Sequence, residues 1–372
     1  MEKHWEKEKP LFLLFLDIQK AYDSIPREHI WACLKKLKVR DSLIAKVKML
    51  YEKTSSCVQV GCGLSDWFET KRGVQQGSAL SPILFIIVMD AIIKNLKEKG
   101  QENLHAFAFA DDVVIWGDSE KDVEERLQRW NQKFERYGLN INKDKTVVLK
   151  VQKGDNEPKI MLNGTKLDSV SEFKYLGSIV SKDNLAKWEV NNRISKAMHF
   201  YHQVRQLLWD KQVPLKTKVT LYKSYYTPIL TYSLETITLT RRDNSKLQAA
   251  EMKFLRTMIQ KTRKDKIRNE KIREEVKIED SILQKIQKSR LKWFGHVNRM
   301  SANKTARREY VREIRGRRPV GRPRKKWTDL VKEDVQERGQ NWERIVKEEW
   351  FMDRQRWKGL VYHTRETGAG QR

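Results

Sequence analysis

What this sequence lacks narrows it first. Its 372 residues include only three cysteines, Cys33, Cys57 and Cys62, with no CxxC pair and no clustering with the seven histidines. That excludes a disulfide framework and a cysteine–histidine zinc site. No apolar run reaches the roughly 18 residues of a membrane-spanning helix, and the opening MEKHWEKEKP lacks the apolar segment of a secretory signal. The expectation is a protein of a reducing compartment, nuclear or cytoplasmic, not secreted and with no membrane partner. There is no internal repeat of fixed period. Acidic residues are also in deficit, 49 Asp and Glu against 76 Lys and Arg, for a net charge of +27. Self-repulsion of that size opposes compaction, so it points to a polyanionic partner, nucleic acid first. What is present is ordinary: 39% hydrophobic residues and a length with room for two or three domains and a sizeable core.

From residue 10 to about residue 180, apolar runs of strand length (LFLLFL, AFAFA, VVIW, VVLKV) alternate with helix-period segments at 26–37, 82–96 and 121–137. This predicts a mixed α+β domain. Asn163-Gly164, between PKIML and TKL, predicts a type I′ hairpin. Beyond Lys182 the helical period dominates, at 184–209, 215–226, 244–260 and 282–297, with a last helix over NWERIVKEEWFMDRQRW. The charge is concentrated: residues 281–326 hold 16 Lys or Arg and 2 Asp or Glu, which is +14 of the +27. A solubilising surface has no need of such a cluster. Within it, RGRRPVGRPRKKW breaks the helical pattern and reads as an extended arm.

Three acids stand out. LFLLFLDI runs six apolar residues into Asp17, the pattern of a central strand covered on both faces. Asp23 fits the N-cap of the helix that follows, which leaves Asp17 without a local role. In HAFAFADDVVIWG, Asp111 and Asp112 sit between two apolar runs. Unpaired buried charge is disfavoured by several kcal/mol or more, so either the pair lies at a solvated hairpin tip or a cation compensates it. Three carboxylates at the ends of neighbouring central strands would bind two Mg²⁺ ions roughly 3.5–4 Å apart. One ion would acidify an attacking hydroxyl and the other would neutralise a pyrophosphate leaving group. RGVQQGSALSPILF supplies groups suited to placing a nucleotide nearby: Gly77 for close backbone approach, Gln76 with a donor and an acceptor, Ser81 as N-cap and Pro82 in the first helical turn. Taken alone, the same residues read first as a plain loop into an apolar helix.

These segments carry a resemblance. FLDIQKAYDSIP, GVQQGSALSPILF, FAFADDVVIW, YGLNINKDKT and FKYLG resemble, in order, the five palm motifs of reverse transcriptases, specifically those of non-LTR (LINE-type) retrotransposons. RLKWFGHVNRM, GRRPVGRPRKKWTD and DRQRW resemble the C-terminal region of the same elements with less specificity. The resemblance implies a right-hand polymerase palm, an antiparallel sheet with helices on one face, over residues 1–180 with a remnant of fingers. A helical thumb would follow over 181–275, and a basic nucleic-acid-binding region over 276–372. It implies RNA-directed DNA synthesis with two Mg²⁺, for which Mn²⁺ can substitute, on an RNA template, a DNA primer and deoxynucleoside triphosphates.

Residue by residue, the resemblance makes Asp17, Asp111 and Asp112 the metal ligands and Tyr22 the aromatic gate against a ribose 2′-hydroxyl. Gln76 and Gly77 become contacts to the incoming nucleotide. Lys145 becomes the group that protonates or neutralises pyrophosphate, and its alternative is a solvated turn lysine. Phe173, Lys174, Tyr175, Leu176 and Gly177 resemble the primer grip, and equally suit plain core at the palm edge. Gln75 and Ser78 depart from the family, which more often has Arg and an acidic or other small residue there. Relatives carry a triphosphate-gripping fingers region before the first motif, whereas ten residues precede LFLLFLD here. The expectation is therefore a polymerase with its front removed, or else a non-catalytic nucleic-acid-binding derivative.

In the basic half, Trp293, Phe294, His296 and Arg299 interleave rings with cations, a composition suited to stacking on unpaired bases and also to packing a small helical core. In GRPRK, Arg322 and Arg324 flank Pro323 as in an AT-hook, which would take an A·T-rich minor groove through residues 315–326. A nuclear localisation run reads from the same string.

Overall fold

The computed structural model describes residues 1–97, 104–152, 156–316, 321 and 323–362. The chain forms two compact units. The first comprises Met1, Lys3–Trp5 and Lys9–Leu176, the second Glu2, Glu6–Glu8 and Gly177–Arg372.

The first unit is built on a five-stranded sheet. Strand β1 (Leu11–Leu16) is the apolar run LFLLFL, and six consecutive apolar side chains are covered on both faces only in the middle of a sheet. It lies there, in the order β5-β4-β1-β3-β2, with β2 at Ala106–Phe109, β3 at Asp112–Gly117, β4 at Val147–Val151 and β5 at Asp168–Ser169. The pairs β1–β3, β1–β4 and β2–β3 are antiparallel, whereas the short edge pair β4–β5 is parallel. The sheet is thus antiparallel apart from that one edge.

Register decides which residues share a face. Leu14 pairs with Ile115 and with Val148, and Leu16 with Val113. These, with Phe12 and Ile18, face a core to which several helices contribute, among them Asp41–Tyr51 with Ile44 and Tyr51. Helix α1 (Arg27–Lys36) brings Ile30, Cys33 and Leu34, and α2 (Ser81–Lys97) brings Leu84, Phe85, Val88, Met89 and Ile92. Helix α3 (Glu120–Arg136) brings Val123, Leu127, Trp130 and Phe134 at the i, i+4, i+7, i+11 spacing of an amphipathic helix. Ser119 starts α3 by accepting from the Asp122 amide at 3.1 Å. Each fully buried large side chain in this layer contributes about 1.5–3 kcal/mol. The hairpin at Asn163-Gly164 forms as its two positive φ values, +49° and +79°, require for a type I′ turn.

Three local expectations are corrected. AFAFA is an exposed edge strand and not a buried one: Phe107 and Phe109 are 43% and 66% exposed. An apolar composition looks the same at an edge as in the middle. Asp23 caps nothing: it lies inside a short helix, Ala21–Ser24, and Pro26 occupies the N-cap of α1. Ser81 is the first residue of α2, and its hydroxyl donates to the Gln75 carbonyl at 2.5 Å instead of capping.

The second unit is helical. Its first core gathers α4 (Ala186–Trp209), α5 (Leu215–Leu221), α6 (Arg241–Met258) and the start of α7 (Ile282–Arg299). The single helix expected over 215–226 passes instead into a π-helical turn at Tyr222–Tyr226. Fully buried Glu251 ties this core, accepting at 2.8 Å from the Tyr222 hydroxyl, the Arg273 guanidinium and the Ile282 amide. A second core centres on Phe294, ringed by Tyr310, Trp327, Trp342, Phe351 and Trp357. The last expected helix is two, Trp342–Lys347 and Arg354–Tyr362. No helix is long and apolar enough to cross a membrane among the described residues.

Candidate active site

The site lies on the sheet face opposite the helices. Alternation along β1 puts Phe15 and Asp17 on that face, and the pairing Leu16↔Val113, carried one step further, sets Asp17 opposite Asp112. Opposed residues of an antiparallel pair hold their Cβ atoms about 4.5–5.5 Å apart. Asp17 is pinned through its backbone: its amide donates to Thr146 Oγ1 at 3.2 Å and its carbonyl accepts from the Asn142 amide at 2.8 Å. Ile18 bridges Ile141, and the Gln19 amide donates to the Asn140 carbonyl at 2.8 Å. Fully buried Thr146 therefore matters to the site although nothing in the sequence singled it out beyond its place in NKDKT.

Asp111 and Asp112 close the two-residue turn between β2 and β3, where Phe109 pairs with Asp112. Ala110, at φ +52°, takes the left-handed position at a cost of about 1–2 kcal/mol. Both aspartates are exposed and Asp17 is half-buried. This is the solvated hairpin tip. Even so, partial desolvation first, then the charges of Asp111 and Asp17, push the Asp112 carboxyl above the usual carboxylate range.

Three all-oxygen anionic donors suit a hard divalent cation, and the register brings two of them face to face. As the side chains stand, no three His, Cys, Asp or Glu residues among the described residues are gathered closely enough to hold a metal ion. Donor chemistry and backbone spacing fit the cation, while the carboxylates are open.

The loop before α2 packs beside Asp17's segment. The Gly73 amide donates to the Ile25 carbonyl and the Val74 amide to the Tyr22 carbonyl, both at 2.8 Å. Gly73, at φ +76°, approaches so closely that a Cβ there would lie 2.6 Å from Asp23 Cα and from the Tyr22 carbonyl oxygen. Arg27 braces the same loop, donating to the carbonyls of Gly73 and Tyr51 at 3.2 and 2.8 Å and to Thr54 Oγ1 at 2.9 Å. The Gln76 amide nitrogen donates to both Asp23 oxygens at 3.2 Å. Gly77, at φ +88°, has open space where a Cβ would be. The Tyr22 ring is half-buried and stacks on Phe85, centroids 4.9 Å apart and 7° from parallel. Lys145 is exposed in a turn.

Phe173 and Tyr175 cover Phe15 at ring distances of 4.3 and 5.4 Å, which sets them on the carboxylate face of the sheet. Lys174 and Leu176 are exposed. Leu176 ends the first unit at φ +47°, and Gly177 begins the second at φ +81°, its carbonyl accepting from Arg193.

In the second unit the suggested nucleic-acid contacts have structural occupations. Phe294 is the hub of its core, and Arg299 donates to the Phe351 carbonyl at 2.5 Å. Trp293 is half-buried beside His296, ring centroids 5.6 Å apart. Arg324 donates to the Asp183 carbonyl at 2.9 Å. Arg322 and much of 315–326 lie outside the described residues.

Comparison with known proteins sets this geometry in context. Residues 1–180 match the family model described as reverse transcriptase (RNA-dependent DNA polymerase). The chain is 27% identical over 201 residues to the retrovirus-related Pol polyprotein of the type-1 retrotransposable element R2 of Nasonia vitripennis, covering 50% of this chain and 20% of that protein. It is 27% identical over 267 residues to the RNA-directed DNA polymerase from the mobile element jockey of Drosophila funebris, covering 68% of this chain and 28% of that protein. A putative uncharacterized transposon-derived protein of Caenorhabditis elegans is 27% identical over 273 residues, which cover 70% of this chain and 95% of that protein. The chain thus spans well under half of the R2 and jockey proteins.

Proposed function

Residues 1–180 are a reverse transcriptase domain of the LINE type, and from that premise we propose that the chain carries out template-directed DNA synthesis on RNA. The observation that carries the reading is the register ending at Leu16↔Val113, whose continuation by one residue opposes Asp17 and Asp112, with Asp111 next in the turn. These three carboxylates would hold two Mg²⁺, or Mn²⁺ in their place, which when bound acidify the primer 3′-hydroxyl and neutralise the departing pyrophosphate.

The remaining residues position the reactants. The Thr146 hydroxyl and the Asn142 amide hold the Asp17 backbone, so its carboxylate starts from a fixed point. The Tyr22 ring, fixed against Phe85, fills the space a 2′-hydroxyl needs and selects deoxynucleotides. The loop Gly73–Gly77 carries Gln76 and an unobstructed Gly77 backbone to the incoming nucleotide, and Gln76 exchanges its Asp23 bonds for that contact. Lys145, exposed in its turn, neutralises the pyrophosphate. Phe173 to Gly177 grips the primer end. The helices from 181 to 275 act as the thumb and residues 276–372 add a basic nucleic-acid-binding region, with Trp293, Arg299, Arg322, Arg324 and the arm at 315–326 as its contacts, A·T-rich DNA included.

A second reading is a derivative that binds nucleic acid without catalysis. Primer extension on poly(rA)/oligo(dT) separates the two. Mg²⁺-dependent extension by the full chain that is abolished in Asp111→Asn supports the polymerase, and none from folded, template-bound protein supports the derivative.

A further inference from the structure

Tyr175 carries a polar atom that neither the fold nor the reading above uses. Its ring lies 5.4 Å from that of Phe15, tilted by 45°. Phe15 pairs with Val114, so across the β1–β3 pair its diagonal neighbour on the same face is Asp112, two residues along. Diagonal neighbours are about 7–8 Å apart, within reach of a phenol lying over Phe15. The Tyr175 hydroxyl oxygen is buried and has no hydrogen-bond partner. At neutral pH a phenol is a proton donor, and the carboxylate within its reach is an acceptor. A buried hydroxyl left unmatched costs about 1–3 kcal/mol. Folded proteins commonly meet such an atom with an ordered water.

We propose that Tyr175 is a positioning residue for Asp112: its hydroxyl donates to one water molecule, that water donates to the Asp112 carboxylate, and the bridge fixes the rotamer in which the carboxylate meets a divalent cation. The inference rests on the reading of Asp112 as a cation-holding group. It assigns to one atom of the FKYLG segment a role toward the cation that is separate from any hold on the primer. Phe173 makes the closer ring contact to Phe15 and has no such atom. Outer partners of this kind typically change metal affinity 10–100-fold when removed.

The test uses the full chain and Tyr175→Phe, which keeps the ring on Phe15 and removes only the oxygen. Fe²⁺ with ascorbate and peroxide cleaves a backbone beside a bound iron, so the cut reports cation occupancy without any polymerase activity. The expected result is cleavage of the wild type near residues 110–113, none in Asp112→Asn, and about tenfold more Fe²⁺ needed for the same cleavage in Tyr175→Phe. In primer extension, the Mg²⁺ concentration for half-maximal rate should rise about tenfold. Cleavage at an unchanged Fe²⁺ concentration in Tyr175→Phe, an increase in primer–template KM with no change in Mg²⁺ dependence, or no cut near 110–113 in the wild type overturns the proposal. Local cleavage with the expected Fe²⁺ shift, from a chain that extends no primer, upholds this inference and refutes the polymerase reading alone.

Discussion

Gly73→Ala should loosen the loop that carries Gln76, and the effect can be sized from the structure. At φ +76° an alanine pays about 1–2 kcal/mol for the left-handed backbone. Its Cβ would also meet Asp23 Cα and the Tyr22 carbonyl oxygen at 2.6 Å, both of them backbone atoms that cannot swing away. Forcing atoms into such a contact costs about 1–3 kcal/mol more. The sum, about 2–5 kcal/mol, falls on the amides of residues 73 and 74, whose bonds to Ile25 and Tyr22 close the loop onto the Asp17 segment. Hydrogen exchange resolved to these amides reads the local opening energy directly. Protection should fall about thirtyfold or more, since 1.4 kcal/mol is a factor of ten. Gly77→Ala is the control: at φ +88° with open space around it, strain alone applies, and the amides of 73 and 74 should keep their protection. Protection within about threefold of wild type at those amides in Gly73→Ala would refute the close-approach argument.

Other consequences follow from single contacts. Thr146→Val leaves the Asp17 amide without its acceptor, which should cost about 1–3 kcal/mol and appear as faster exchange of that one amide. Glu251→Ala strands the Arg273 guanidinium and the Tyr222 hydroxyl, so unfolding of the second unit in urea should lose about 3–5 kcal/mol, with Glu251→Gln losing less. Titration followed at 295 nm should find one tyrosine, absent in Tyr175→Phe, ionising near pH 12. Because its folded value is raised, the stability it contributes is complete below about pH 10 and is lost as pH rises toward 12. Asp112, also raised, gives the fold a proton-binding preference in the acid range. Stability should therefore fall as pH climbs through that range, and Asp112→Asn should flatten the slope in pH-dependent denaturation.

The central strand was legible because six apolar residues in a row have few other places to go, and the helices at 27–36, 81–97 and 120–136 because their apolar spacing is regular, whereas the helix Asp41–Tyr51 was not expected. Asn163-Gly164 was legible because few other pairs enter two left-handed positions cheaply. The exposed edge of the sheet was not, since AFAFA has the same composition as a buried strand and differs only in what lies beside it. Thr146 and Gly73 escaped notice for a related reason: their significance is a contact 129 residues away in one case and about 50 in the other, and neither residue type is unusual where it stands. Phe294, interleaved with cations beside Trp293 and His296, suited base stacking as well as packing of a small core. Its ring contacts with Trp342 and Trp357 in the second unit decide for a core in the case of Phe294.

The claim on which the account turns is that Asp17, Asp111 and Asp112 serve one cation site. Anomalous diffraction from crystals of the full chain with an RNA–DNA primer–template, a deoxynucleoside triphosphate and Mn²⁺ tests it most directly. The account predicts two peaks roughly 3.5–4 Å apart, both against oxygens of Asp17 and Asp112. Peaks bound only to nucleotide phosphates, with these carboxylates still apart, would contradict it.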